Sequence, residues 1–125
     1  MEEYILDTNI LIYMLEGRGT INKTLNNLYR EYFFISVVSC FECLEGAKNK
    51  KDHILIEQFL KTFVPLDLNF NTMKTALDLY KKSQRRIKFK DLLIAGTAFE
   101  ENLTLVTADK DFKKIKGLKV KFVNL

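Results

Sequence analysis

Reactive chemistry in this chain has to run on carboxylates. The sequence holds one histidine, His53, and two cysteines, Cys40 and Cys43, against sixteen Asp and Glu residues. A Ser-His-Asp triad would have to be built on His53 alone. A zinc site of two cysteines and two histidines cannot be filled unless a carboxylate replaces a ligand. Four acids stand out because each adjoins an apolar run: Asp7 after Tyr4-Ile5-Leu6, Glu42 after residues 33–38, Asp91 before Leu92-Leu93-Ile94-Ala95, and Asp109 after residues 103–106. Two carboxylates about 4 Å apart repel by roughly 4 kcal/mol at an effective dielectric of ~20. Gathering four therefore calls for a positive occupant, and hard oxygen ligands select Mg²⁺ or Mn²⁺.

The elements that must position these acids follow from periodicity. Tyr4-Ile5-Leu6 predicts a strand, and Ile10, Leu11, Tyr13, Met14 and Leu15 predict a helix that Gly17-Arg18-Gly19 ends. Leu25, Leu28, Tyr29 and Tyr32 recur at helical spacing. The continuous β-branched and aromatic run 33–38 predicts a strand covered on both faces, and Ser39 then opens a helix. Ser39-Cys40-Phe41-Glu42 fits a capping box. Ile54, Ile56, Phe59, Leu60 and Phe63 give a further helix, followed by a short strand at 64–66. There the single proline, Pro65, argues for an edge. Met73, Ala76, Leu77 and Tyr80 mark a helix over about 71–86, and Asp91 heads the next one. Strand 103–106 ends at Thr107, a brief helix spans about 109–115, and a last strand covers 120–123. Strands alternating with helices predict an α/β chain: one domain over 1–125, a three-layer α/β/α sandwich around a mostly parallel sheet of about five strands.

In such a sheet Asp7, Glu42, Asp91 and Asp109 all fall at the carboxyl edge, where ligands bind. Each also has a simpler role. Asp7, Asp91 and Asp109 precede helices and suit N-capping, but capping gives no reason for all four to gather at one edge. The formal charge is +4. Setting the four acids aside leaves the remainder twice as positive, a pattern suited to holding cations in a pocket while the surroundings attract a polyanion. The basic cluster Lys81, Lys82, Arg85, Arg86, Lys88 and Lys90 lies directly before Asp91, which favours phosphate contact, with Arg85 and Arg86 suited to bidentate contact. Lysines of the tail, Lys110 to Lys121, read equally as a solvated edge. His53 reads as a surface helix residue, and Tyr13, Phe33, Phe34, Phe59 and Phe99 as core. Met1-Glu2-Glu3 is acidic where a secretory signal would be basic, and no apolar run reaches roughly 18 residues. The expectation is a soluble cytoplasmic protein without membrane association.

Three segments carry a family resemblance: YILDTNILIYML, ISVVSCFECLEGA and KDLLIAGTAFEENLTLVTADKDF. They resemble the successive motifs of PIN-domain ribonucleases, and the small size and motif details are similar to VapC-type toxins of toxin–antitoxin pairs. The resemblance implies a PIN-like α/β/α fold and a Mg²⁺- or Mn²⁺-dependent endoribonuclease. It implies a metal-binding, catalytic set of Asp7, Glu42, Asp91 and Asp109, with Asp111 as a second candidate for the last position. Asn9 and Thr107 match supporting polar positions, with Thr8 and Ser39 as further ones. Arg85, Arg86, Lys88 and Lys90 would contact RNA. The implied partners are an RNA substrate, a cognate VapB-type antitoxin whose C-terminal segment crosses the acidic cleft, and a second copy in a homodimer. Gly96 departs from the family, which often has alanine there.

Three other readings compete. A metal-free PIN-like binding module would need no acidic set. Cys40-x-x-Cys43 at a helix start suggests a thioredoxin-like redox site, although the bland alternative is two apolar fillers. A phosphoacceptor receiver would use Asp7, Asp67 and Thr107, leaving Glu42 and Asp91 unexplained.

Overall fold

The computed structural model describes residues 1–28 and 30–124. Five strands, β1 (Tyr4–Leu6), β2 (Phe34–Ser36), β3 (Val64–Leu66), β4 (Thr104–Thr107) and β5 (Val120–Phe122), form one sheet in the order β3-β2-β1-β4-β5. Every pairing is parallel, so the sheet is wholly rather than mostly parallel. Among the described residues, six α-helices connect the strands: α1 (Thr8–Leu15), α2 (Ile21–Asn26), α3 (Val37–Glu45), α4 (Lys50–Leu60), α5 (Phe70–Lys82) and α6 (Phe89–Glu100). A 3₁₀ helix, Lys110–Lys114, precedes β5.

Alternation along the strands builds two cores. Tyr4, Leu6, Ile35 and Val106 face a layer with Ile10 and Leu11 of α1, Cys43 of α3 and Leu60 of α4. Ile5 and Leu105 point the other way, against Ala76 and Leu79 of α5, Leu93 and Ile94 of α6, and Phe112. This is the three-layer α/β/α arrangement expected from the sequence. Pro65 and Lys121 lie exposed in the middle of the two edge strands, β3 and β5, as the reading of Pro65 anticipated.

Three local expectations change. The capping box at Ser39 is not formed, because the helix begins earlier. Ser36 ends β2 in extended conformation and its hydroxyl accepts from the Val38 amide at 3.1 Å. Val37 and Val38 are therefore helical despite their β propensity, since a cap followed by an apolar stripe outweighs a weak intrinsic preference. Ser39 lies inside α3, fully buried, and Glu42 falls in its second turn. Asp91 likewise sits within the first turn of α6 rather than ahead of it; Lys88 occupies the cap position without a side-chain bond. Lastly, α5 stops at Lys82 instead of running to 86, because Gln84 and Arg85 both adopt φ of 60°. Such a left-handed pair cannot continue a right-handed helix. Tyr29, placed by its spacing on a helix face, lies outside the described residues.

The aromatic expectations divide. Tyr13, Phe33, Phe34 and Phe59 pack half-buried against the cores, whereas Phe99 is exposed. His53 is exposed on α4, 3.8 Å from Glu57. On α5, Thr72, Ala76 and Leu79 are buried while Met73 and Leu77 stay in solvent.

Helix α6 is buried continuously from Leu92 to Ala98. Gly96 within it has a steric role. A Cβ on Gly96 would stand 3.1 Å from both the Ala76 side chain and the Thr72 carbonyl of α5. Glycine lets the two helices approach closely. Gly96→Val should accordingly destabilise the fold by about 1–3 kcal/mol through overpacking. Urea unfolding would register this as a lower midpoint at unchanged slope.

Candidate active site

The sheet order places a topological switch between β1 and β4, adjacent strands from which the order leads off in opposite directions. Their carboxyl ends therefore border a crevice. Asp7 follows β1 directly and Thr107 ends β4. Asp7 is buried and extended (φ −69°, ψ 157°), and caps α1 by accepting from the Thr8 amide at 2.8 Å. Its second oxygen accepts from the Thr107 hydroxyl at 2.6 Å. Thr107 in turn accepts from the Asp109 amide at 3.0 Å, and Asp109 accepts from the Asp111 amide at 2.9 Å. One threonine thus links the β1 acid to the loop carrying the β4 acid.

A second chain of hydroxyls reaches Glu42. The Thr8 hydroxyl donates to Glu42 at 2.7 Å and lies 2.8 Å from the Ser39 hydroxyl. With its single proton given to the carboxylate, Thr8 accepts from Ser39. The other Glu42 oxygen meets the Lys90 ammonium at 3.1 Å. This ion pair joins α3 to the first turn of α6 and was not visible in the sequence, where no spacing links residues 42 and 90. The half-exposed lysine contributes little to stability, but it places a cation beside the acids.

Electrostatics shows that the acids feel one another. Burial, first of all, pushes the Asp7 carboxyl up to about 6. Hydrogen bonds from Thr107 and Thr8 oppose that shift, and the charges of Asp91 and Asp109 add to it. Asp91 is also raised, by burial and then by Asp109, with Lys88 pulling it back and Glu42 and Asp111 pushing further. Asp7, Glu42, Asp91, Asp109 and Asp111 therefore share one electrostatic neighbourhood. Glu42 in turn raises the Lys90 pKa and holds the ammonium charged.

The donor set suits a hard divalent cation: the acids offer carboxylate oxygens, and their like charges need compensation. Among the described residues, no three acid, histidine or cysteine side chains already stand close enough to form a finished cage. Asn9, one residue beyond Thr8 on α1, has a buried side-chain oxygen without a hydrogen-bond partner among the described groups. A buried acceptor left in that state is costly, and a cation or its water would satisfy it. The residues therefore fit Mg²⁺ or Mn²⁺ by chemistry, with the acids close but not yet gathered.

Arg85, Arg86, Lys88 and Lys90 are all exposed, and Arg85 lies 5.5 Å over the Tyr80 ring. The cysteine reading fails on chemistry. Burial pushes the Cys43 thiol up to about 11 and raises Cys40 as well, whereas a redox cysteine needs a lowered pKa. The receiver reading fails on topology, because that fold orders its strands 2-1-3-4-5.

A parallel α/β sandwich with an acidic crevice at its switch point defines the class of protein. The chain belongs to the PIN domain family, which residues 4–118 match. Its structural neighbours include chains of toxin–antitoxin complexes. It resembles a chain of VapBC2 from Rickettsia felis, crystallised with a promoter DNA fragment, at 26% identity and a TM-score of 0.82, covering 97% of this chain and 98% of that one. A chain of VapBC-1 from nontypeable Haemophilus influenzae is 27% identical with a TM-score of 0.80, covering 95% and 96%. A chain of a toxin–antitoxin complex from Klebsiella pneumoniae is 27% identical with a TM-score of 0.81, covering 93% and 95%. Comparison with curated proteins gives no match. Among the described residues no helix is long and apolar enough to cross a membrane.

The raised Asp7 pKa has a consequence for stability. Between its ordinary value of 3.8 and about 6 the folded chain binds a proton that the unfolded chain has lost. Stability without metal therefore falls as pH rises through that window, and the loss is complete above it. Two pKa units correspond to about 3 kcal/mol. Asp7→Asn should raise stability at pH 7 by about 1–3 kcal/mol and change it little below the window. Urea unfolding in EDTA at both pH values checks this; a destabilised variant at pH 7 would refute it.

Proposed function

We propose that this chain is a Mg²⁺- or Mn²⁺-dependent endoribonuclease, a single nuclease domain over 1–125 and the toxin of a VapBC-type pair. The observation that carries the proposal is the joint electrostatic shift of Asp7 and Asp91, each raised by burial and by neighbouring acids. It occurs at the β1/β4 crevice of a chain in the PIN domain family. Full-length likeness to chains of toxin–antitoxin complexes supports the toxin assignment and a cognate VapB-type antitoxin; a homodimer is proposed alongside. Such a toxin acts in the cytoplasm.

Asp7 and Asp91 would hold the cation directly, and Glu42 and Asp109 would complete the site or orient water, with Asp111 available beside Asp109. When bound, the cation lowers the pKa of a water and neutralises charge on the phosphodiester. The protein's share is positioning. Thr107 keeps one Asp7 oxygen oriented and, through the Asp109 amide, ties the two strand ends together. Thr8 and Ser39 orient Glu42, and Asn9 offers a polar oxygen from the same turn of α1. Lys88, Lys90, Arg85 and Arg86 attract the RNA backbone and hold it against the acids. Hydrolysis by water would leave 5′-phosphate and 3′-hydroxyl ends.

Incubating a defined RNA pool with Mg²⁺ or Mn²⁺ tests this. Cleavage is expected, to be lost in EDTA and in the Asp7→Asn, Asp91→Asn double variant. Metal-independent cleavage, or a fully active double variant, would overturn the mechanism. Because a proton competes with the cation at Asp7, metal affinity measured calorimetrically should rise as pH increases through about 6. Thr107→Val, which removes a hydroxyl orienting Asp7, should lower cleavage by about 10–100-fold.

A further inference from the structure

The Glu42–Lys90 pair joins two side chains of unequal freedom. Glu42 is held. Its Oε1 accepts the Thr8 hydroxyl at 2.7 Å, Thr8 is itself bonded to the buried Ser39, and the glutamate side chain is only 22% exposed. Lys90 is loosely held: its side chain is 58% exposed, and its ammonium reaches Glu42 Oε2 at 3.1 Å from the first turn of α6. Rotation of the lysine stem alone can break that contact, with no helix moving. Asp91, the next residue, feels the charge of Glu42. The oxygen that Lys90 occupies thus belongs to the acidic group that faces the crevice. Another acid, Glu45, stands exposed one turn further along α3 and also acts on the ammonium.

We propose that Lys90 is an exchangeable counter-ion: it competes with a divalent cation for one oxygen of Glu42, and once displaced it passes to substrate phosphate. The inference rests on the metal-dependent nuclease reading and names the residue that sets metal affinity there. An exposed ion pair adds little to stability, so holding the fold together does not account for this one. Two cations on one carboxylate oxygen repel each other. The ammonium therefore gives way when a cation is taken up, and the attraction between Lys90 and Glu42 is subtracted from metal binding. The displaced lysine is not lost to the site. Anchored one residue before Asp91, it remains beside the acids as a mobile point charge suited to phosphate.

Calorimetric titration of the full chain with Mn²⁺, at fixed pH and low salt, tests this together with steady-state RNA cleavage at saturating Mn²⁺. Lys90→Met keeps the length of the side chain and removes its charge. It should bind Mn²⁺ about five- to tenfold more tightly, whereas Lys90→Arg should stay within about twofold of the unaltered chain. In a Glu42→Gln background, Lys90→Met should gain nothing, because no carboxylate is left to contest. At saturating Mn²⁺, Lys90→Met should raise KM for RNA about three- to tenfold and leave kcat nearly unchanged. Metal binding tightens while RNA binding weakens, a divergence that a merely structural lysine would not produce. Unchanged or weaker Mn²⁺ binding by Lys90→Met overturns the proposal. So does an equal gain in Lys90→Arg, an equal gain without Glu42, or a KM that fails to rise. A lowered urea midpoint at unchanged Mn²⁺ affinity would mark the pair as structural only. In each of those cases Mn²⁺-dependent cleavage by the unaltered chain keeps the nuclease reading standing. An unaltered chain that binds no Mn²⁺ removes both.

Discussion

Like charges held near one another in a partly desolvated crevice are the constraint around which this molecule is arranged. Asp7 is buried, Asp91 half-buried, and each is pushed toward its protonated form by burial and by neighbouring acids. The fold tolerates this by distributing donors. Both oxygens of Asp7 accept short hydrogen bonds, one from its own helix and one from the end of the adjacent strand. Glu42 is served by Thr8 and Lys90. These contacts reduce the repulsion without cancelling it, and the Asp7 and Asp91 carboxyls both stay above their ordinary pKa.

That arrangement in turn requires rigid framing. The donors come from strand ends and first helical turns, whose positions are fixed by two cores on opposite faces of the sheet. Helix α6 carries Asp91 at its start and is buried over the next two turns. It reaches that depth only because Gly96 lets α5 lie close against it. A residue remote from the crevice thereby sets how firmly one of its acids is held.

Much of this was legible in the sequence because the determining signals are local. Short apolar runs ending in Asp7 and Thr107 fix the strand ends, and alternating strands and helices fix the parallel sheet. The four acids followed from that edge, and the structure brings them into one electrostatic neighbourhood. What escaped depends on tertiary contacts. Ser36 and Ser39 are both plausible caps, and only packing of α3 selects the first. The stop of α5 at Lys82 reflects a left-handed Gln84-Arg85 pair that no residue type announced, since neither is glycine or asparagine. The Glu42–Lys90 pair bridges residues far apart in sequence. The exposure of Phe41, Phe89, Met73 and Leu77 is likewise invisible to periodicity, which records apolar spacing but not which apolar residues find a partner.

The sheet has two rims, β3 and β5. A parallel sheet of short strands offers unpaired amides and carbonyls along β3 and β5, and a neighbouring copy could extend either one. Pro65 removes the donor in the middle of one rim, and Lys121 places a charge in the middle of the other. Both discourage strand addition. Association of this molecule, with itself or with other proteins, is therefore steered away from the sheet margins and toward its helical faces, where geometry can terminate a complex rather than propagate it into a fibre.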